Sequence, residues 1–166
     1  MAKTKKKMRM TNLVCTIVLL ATLVGVIIGL FIDYVGITGS VSSGLVGSGS
    51  SHTEYAKLFD MEETWGTLSI IAAIATAVFC ALGLVLSVLK NMGGKKFGSL
   101  QMIVGGVTVL LAIFAVVCVF IYGSEYSASA DGGDLIQMSV TVAPAVGAWL
   151  LAVCGVINGV ACVMDR

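Results

Sequence analysis

Apolar and charged positions along this chain fall into blocks. Four runs, residues 11–32, 64–89, 97–124 and 135–164, contain no Asp, Glu, Lys or Arg. A bilayer crossing needs roughly 20 predominantly apolar residues, so each run suffices for one crossing and none for two. The pattern predicts transmembrane helices over about 12–34, 64–89, 97–123 and 141–164. A first outer loop (35–63), a short inner loop (90–96) and a second outer loop (124–140) join them. Pro144 is expected in the first turn of a helix starting near Thr141, where its missing N–H costs nothing. The first run, at about 20 apolar residues, exceeds the 7–15 usual for a cleavable signal and is expected to remain as a span.

Inside the runs, small residues recur at spacings of three and four. The second helix carries Ser69, Ala73, Thr76, Cys80, Gly83 and Ser87; the third carries Gln101, Gly105, Thr108, Ala112 and Ala115. The fourth carries Ala145, Ala148, Ala152, Gly155, Gly159 and Cys162. In lipid the hydrophobic effect does not drive helices together, so close approach at small residues must. A spacing of three and four keeps each stripe on one face and favours a left-handed crossing near ~20°. The first helix has its own stripe, Thr22, Gly25, Gly29 and Asp33, and both Gly25/Gly29 and Gly155/Gly159 are GxxxG pairs. These are expected to pack within the monomer, with subunit contacts as the alternative. The fold class expected is an all-α membrane protein: one left-handed four-helix bundle with a small extracellular cap from the first outer loop.

Composition agrees. Of 166 residues, 58% are hydrophobic and 11% charged, with a mean hydropathy of +1.03. Soluble domains average about 25% charged residues. The net charge of +1 conceals a strong asymmetry. Lys3, Lys5, Lys6, Lys7, Arg9, Lys90, Lys95, Lys96 and Arg166 lie on one side of the predicted spans, and only Lys57 on the other. The positive-inside rule then places both termini in the cytoplasm and both longer loops outside, in the cell membrane.

Candidate chemistry is sparse. No ionisable residue occupies the central part of a predicted helix, which argues against proton-coupled transport and voltage sensing. The cysteines, Cys15, Cys80, Cys118, Cys154 and Cys162, all fall in predicted helices, with no Cys-x-x-Cys among them. They read as small packing residues. His52 is the sole histidine; Ser50 and Ser51 adjoin it, but adjacent loop residues rarely have triad geometry. The expectation is no enzyme, no cofactor or metal, no small-molecule substrate and no nucleic acid.

The first outer loop is more informative. Its first half is rich in Gly and Ser, and "ITGSVSSGLV" alternates in a way that permits a short strand pair. Its second half, "EYAKLFDMEETW", carries aromatic and aliphatic anchors, with Trp65 at the depth of an aromatic belt. Leu45, Tyr55, Leu58, Phe59 and Trp65 are the candidate contact residues. A loop this Gly-rich is expected to be held by a neighbouring subunit.

Four spans, inside termini, a long first outer loop and a short basic inner loop resemble the claudin and peripheral-myelin-protein layout. Gly44-Leu45 and Lys57-Leu58-Phe59-Asp60 look like that family's Gly-Leu-Trp and Lys-Val-Tyr-Asp neighbourhoods. "KKFGSLQMIVGGVTVLLAIF", from Lys95, is similar to its third helix. Val46 stands where the family has Trp, and the two loop cysteines that staple its outer sheet are missing. The resemblance therefore implies lateral self-association or service as an accessory subunit. The function expected is a non-enzymatic structural protein in the lipid bilayer, part of a homo-oligomer or larger membrane complex. The alternative is an oligomeric channel whose acidic outer loops attract cations.

Overall fold

A computed structural model describes the backbone of residues 2–43, 49–61, 63–92, 97–131 and 136–165. It describes the side chains of residues 13–41, 50–61, 63–92, 97–127 and 139–165. In chain order the elements are α1 (Ala2–Phe31), β1 (Asp33–Ser43), β2 (Gly49–Lys57), a 3-10 turn (Leu58–Asp60) and α2 (Thr64–Asn91). There follow α3 (Gly98–Tyr126), β3 (Ala128–Asp131), β4 (Ile136–Pro144) and α4 (Val146–Met164). All four α-helices are long and apolar enough to cross a membrane. Such helices satisfy their backbone groups internally, as hydrocarbon requires.

Each helix packs on the next, and α4 returns to α1 and also touches α2. Ser69, Ala73, Thr76, Cys80 and Ser87 of α2 are fully buried, as are Gln101, Ala112 and Ala115 of α3. The opposite face of α2 exposes Ile71, Ile74, Val78, Leu82 and Val85. An apolar exterior around a core of small and polar side chains suits a surrounding of lipid tails.

The described residues of the two longer connections form strands, so the fold is not all-α. The strands form one antiparallel sheet in the order β2-β1-β4-β3. Segments a hundred residues apart meet in it: Ser40 pairs with Ser139, and their hydroxyls lie 2.7 Å apart. The sheet is therefore built from the α1–α2 and α3–α4 connections together, not from the first alone. Within the chain, β1 pairs β4 over Val35–Ser43 and β2 on its other side.

Helix boundaries shift accordingly. α1 starts at Ala2 and stops at Phe31 rather than spanning 12–34, because Asp33 already belongs to β1. α2 and α3 run on to Asn91 and Tyr126. The largest change is at α4, which begins at Val146 and not Thr141. Pro144 ends β4, opposite Val35. The next amide, Ala145 N, donates to Tyr34 O at 2.9 Å, so the ladder bonds fall on either side of the proline. The nitrogen of Pro144 faces away from β1, where its missing N–H breaks no ladder bond. Alternation of Met138, Val140 and Val142 with Ser139 and Thr141 is a strand pattern hidden inside an uncharged run.

One face of the sheet sits on the bundle. Ile37 and Val142, opposite each other, pack against a core of Val26, Leu30, Tyr34, Val35, Leu58, Met61, Ala115 and Leu151. A second cluster, Leu19, Leu86, Val104, Ala161 and Cys162, fills the other end of the bundle.

Candidate interaction site at the sheet end

Period-two alternation puts Gly36, Thr38, Thr53 and Tyr55 on the sheet face turned away from that core. Thr38 and Thr53 are directly opposite and their hydroxyls lie 3.1 Å apart. Tyr55 is opposite Gly36, and a Cβ at Gly36 would rest 3.5 Å from its ring. The aromatic thus covers bare backbone that no other side chain fills. With Ala143, Pro144, Val146, Trp149 and Val153, these residues line an open groove of about 590 Å³ between sheet and α4. Tyr55 is 62% exposed and Trp149 50% exposed.

Aromatic side chains gather at this end. Trp149 meets Phe120 edge-on at 6.2 Å, Tyr122 and Tyr126 lie 4.5 Å apart, and Phe59 lies 6.3 Å from Phe31 at the end of α1. Trp65 Nε1 donates to Glu125 Oε1 at 2.9 Å, tying the start of α2 to the end of α3. Of the candidate contact residues, Tyr55 and Phe59 are exposed and Trp65 is half-buried. Leu58 is 0% exposed and belongs to the core, so it is corrected from contact residue to packing residue. Its 3-10 turn directs it inward while Phe59 points out. Leu45 lies outside the described residues.

The small-residue candidates lie at helix crossings. Ala73, Ala112 and Ala148 are fully buried, and Ala152 is half-buried. Gly25 and Gly29 face α4: a Cβ would lie 2.5 Å from Cys154 Sγ and 3.0 Å from the Gly147 carbonyl, respectively. A Cβ at Gly83 would come within 3.2 Å of Cys162 Sγ, and one at Gly155 within 2.7 Å of Ala112. Gly105 and Gly159 face each other's backbone. A Cβ on either would lie 2.6 or 2.5 Å from the other's carbonyl oxygen.

The opposite end of the bundle holds polar contacts that the sequence pattern did not single out. Asp165 is buried; its Oδ2 accepts from Gln101 Nε2 at 2.9 Å, and its Oδ1 lies 3.4 Å from Lys90 Nζ. Asn158 Nδ2 donates to Thr22 Oγ1 at 2.7 Å and to Leu19 O at 3.1 Å, joining α4 to α1. Thr16 Oγ1 and Ser87 Oγ are 2.9 Å apart, and Asn91 Nδ2 donates to Thr16 at 3.1 Å. These contacts reach all four helices, while Gln101 Oε1 and Asn158 Oδ1 are buried without a hydrogen-bond partner among the described residues. The polarity of Asn158 and Gln101 was visible in the sequence; which helices they join was not.

Tyr34 is the largest fully buried side chain. Its hydroxyl lies 3.5 Å from Ser69 Oγ, and Ser69 donates to Ala115 O at 3.1 Å. Burial pushes the Tyr34 phenol above its ordinary value, against the opposing pull of the Ser69 hydroxyl.

No protein-family model and no curated protein matches this chain. Its four long apolar helices fit a tetraspan topology. Among the described residues, no three or more His, Cys, Asp or Glu converge as a metal cluster would.

Proposed function

We propose that this integral membrane protein is a non-enzymatic structural subunit. Its sheet projects outside the cell, and its contact surface joins copies of the chain or a larger membrane complex. The observation that carries this reading is the exposed Tyr55, set beside Trp149 over an open, mostly apolar groove. Large aromatics on concave surfaces supply most interface energy where they become buried. The girdle of aromatics supports a membrane–water interface at the sheet end, and the basic residues near Lys90 support a cytoplasmic location for the other. The spacing of the small-residue stripes supports a left-handed bundle. A channel has less support, because the helices turn Gln101, Thr108 and Asn158 into the bundle rather than onto a stripe on its exterior.

The test is particle mass after extraction in mild detergent. The wild-type particle is expected to contain more than one chain. Replacing Tyr55 and Phe59 together by Ser should leave the chain inserted and shift the particle to the mass of a monomer. A wild-type monomer that co-purifies with no partner would remove the proposal.

A further inference from the structure

β2 closes one side of the sheet, and its residues from Ser50 to Tyr55 are all exposed. Which of its backbone groups are free follows from the ladder. Tyr34 O accepts from Ala145 N, so Tyr34 and alternate residues after it, Gly36 and Thr38, turn their backbone groups toward β4. Val142, opposite Ile37, agrees: its N–H turns away from β1 and donates to Ser127 Oγ at 3.3 Å. Ile37 and Gly39 therefore bond across to Glu54 and His52 of β2. Ser51, Thr53 and Tyr55, the alternate set, turn outward. Lys57 is next in that set, and its N–H is taken by Asp60 Oδ2 at 3.1 Å. That capping blunts the strand's end. The middle of the edge carries no proline, and its pairing with β1 is regular from Val35 onward.

We infer that β2 is a self-recognition edge, through which two copies of the chain pair antiparallel, centred on Thr53, with His52 of each opposite Glu54 of the other. This rests on the self-association proposed above and names the surface and its register. A symmetric antiparallel pair must set outward residues opposite outward residues, which leaves a short series of registers. Centring on Thr53 overlaps the whole strand, from Gly49 to Lys57. It makes Thr53 a hydrogen-bonded pair with its copy and places Ser51 opposite Tyr55. His52 and Glu54 then fall in the non-hydrogen-bonded sites, where side chains approach closest. The imidazole donates to the carboxylate whether it is neutral or charged. Moving the centre to His52 opposes two imidazoles and leaves Glu54 against Ser50. A centre at Glu54 opposes two carboxylates, an unfavourable pair. Charge complementarity and full overlap thus select the same register. Ser51 and Tyr55 add side chains to the groove face, so the edge and the groove form one surface.

The experiment is oxidative cross-linking of single-cysteine additions along β2 in the detergent-extracted full chain, with the unsubstituted protein as control. The native cysteines are in helices and none forms a disulfide among the described residues. In the proposed register Thr53 pairs at about 5.5 Å between Cα atoms, within disulfide reach, whereas His52 to His52 and Glu54 to Glu54 are diagonals of about 7–8 Å. Thr53→Cys should therefore cross-link at least about fivefold more than His52→Cys or Glu54→Cys alone. Mixed chains, one His52→Cys and one Glu54→Cys with different tags, should cross-link to each other. Glu54→Lys should abolish the Thr53→Cys product, and adding His52→Glu should restore it.

Cross-linking that peaks at His52→Cys or Glu54→Cys alone would overturn the register. Absence of cross-linking at every β2 position, with the particle still multimeric, would overturn the edge and leave self-association standing. A monomeric particle would remove both.

Discussion

At the scale of single residues, neighbouring glycines in α3 have opposite roles. Gly105 faces the backbone of Gly159, while a Cβ at Gly106 would meet nothing within 4 Å. Gly105→Ala forces two helices apart and should cost about 1–3 kcal/mol. Gly106→Ala removes backbone freedom from the unfolded chain and should be neutral or stabilising by about 0.4–1 kcal/mol. Denaturant titration of both variants in detergent checks this, and equal midpoints would contradict the crossing. Tyr34 supplies a second residue-scale test. Its folded pKa is raised by burial, so its contribution to stability is complete below about pH 10, the unfolded value. That contribution is lost as pH rises through the folded value. Tyr34→Phe should flatten this part of the alkaline destabilisation, read as the unfolding midpoint against pH.

At the scale of elements, the bundle is fastened differently at its two ends. The sheet end relies on packing of Ile37 and Val142 onto the core and on the pairing of β1 with β4. The other end relies on Asp165, a buried acceptor just past α4 that links it to α3 through Gln101 and to α2 through Lys90. Asp165→Ala should leave the Gln101 amide without its acceptor and cost about 1–3 kcal/mol. Asp165→Asn keeps an oxygen for Gln101 and removes only the charge facing Lys90, so its cost should be smaller than that of Asp165→Ala. Comparing unfolding midpoints of the two variants separates the hydrogen bond from the charge. Similar losses from both would assign the effect to Lys90.

At the scale of the whole molecule, the charge asymmetry predicts orientation. Nine of the ten basic residues belong to the termini and the α2–α3 connection, while β2 and its turn carry Lys57 alone. Ser50→Cys, in a background without native cysteines, should react in intact cells with a membrane-impermeant thiol reagent. Lys3→Cys should react only after permeabilisation. Labelling of Lys3→Cys alone in intact cells would invert the molecule and place the sheet in the cytoplasm.

The sequence by itself determined the number of helices and their approximate extents, because an uncharged run long enough to cross hydrocarbon has few alternatives to a helix. The small-residue stripes could also be read directly, since spacings of three and four define a helical face before any partner is known. The sheet was decided only in three dimensions. "ITGSVSSGLV" suggested a strand pair, but β4 lay concealed in an apolar run where strand and helix patterns compete, and its partner β1 lies about a hundred residues away. Pairing of β1 with β4 placed Pro144 in a strand rather than a helix, and the 3-10 turn buried Leu58 beside an exposed Phe59. The tertiary fold likewise brought Asp165 to Gln101 and Asn158 to Thr22. Local pattern fixes which face of an element is apolar. Only the assembled bundle and sheet fix which face, edge and polar group remain for a partner.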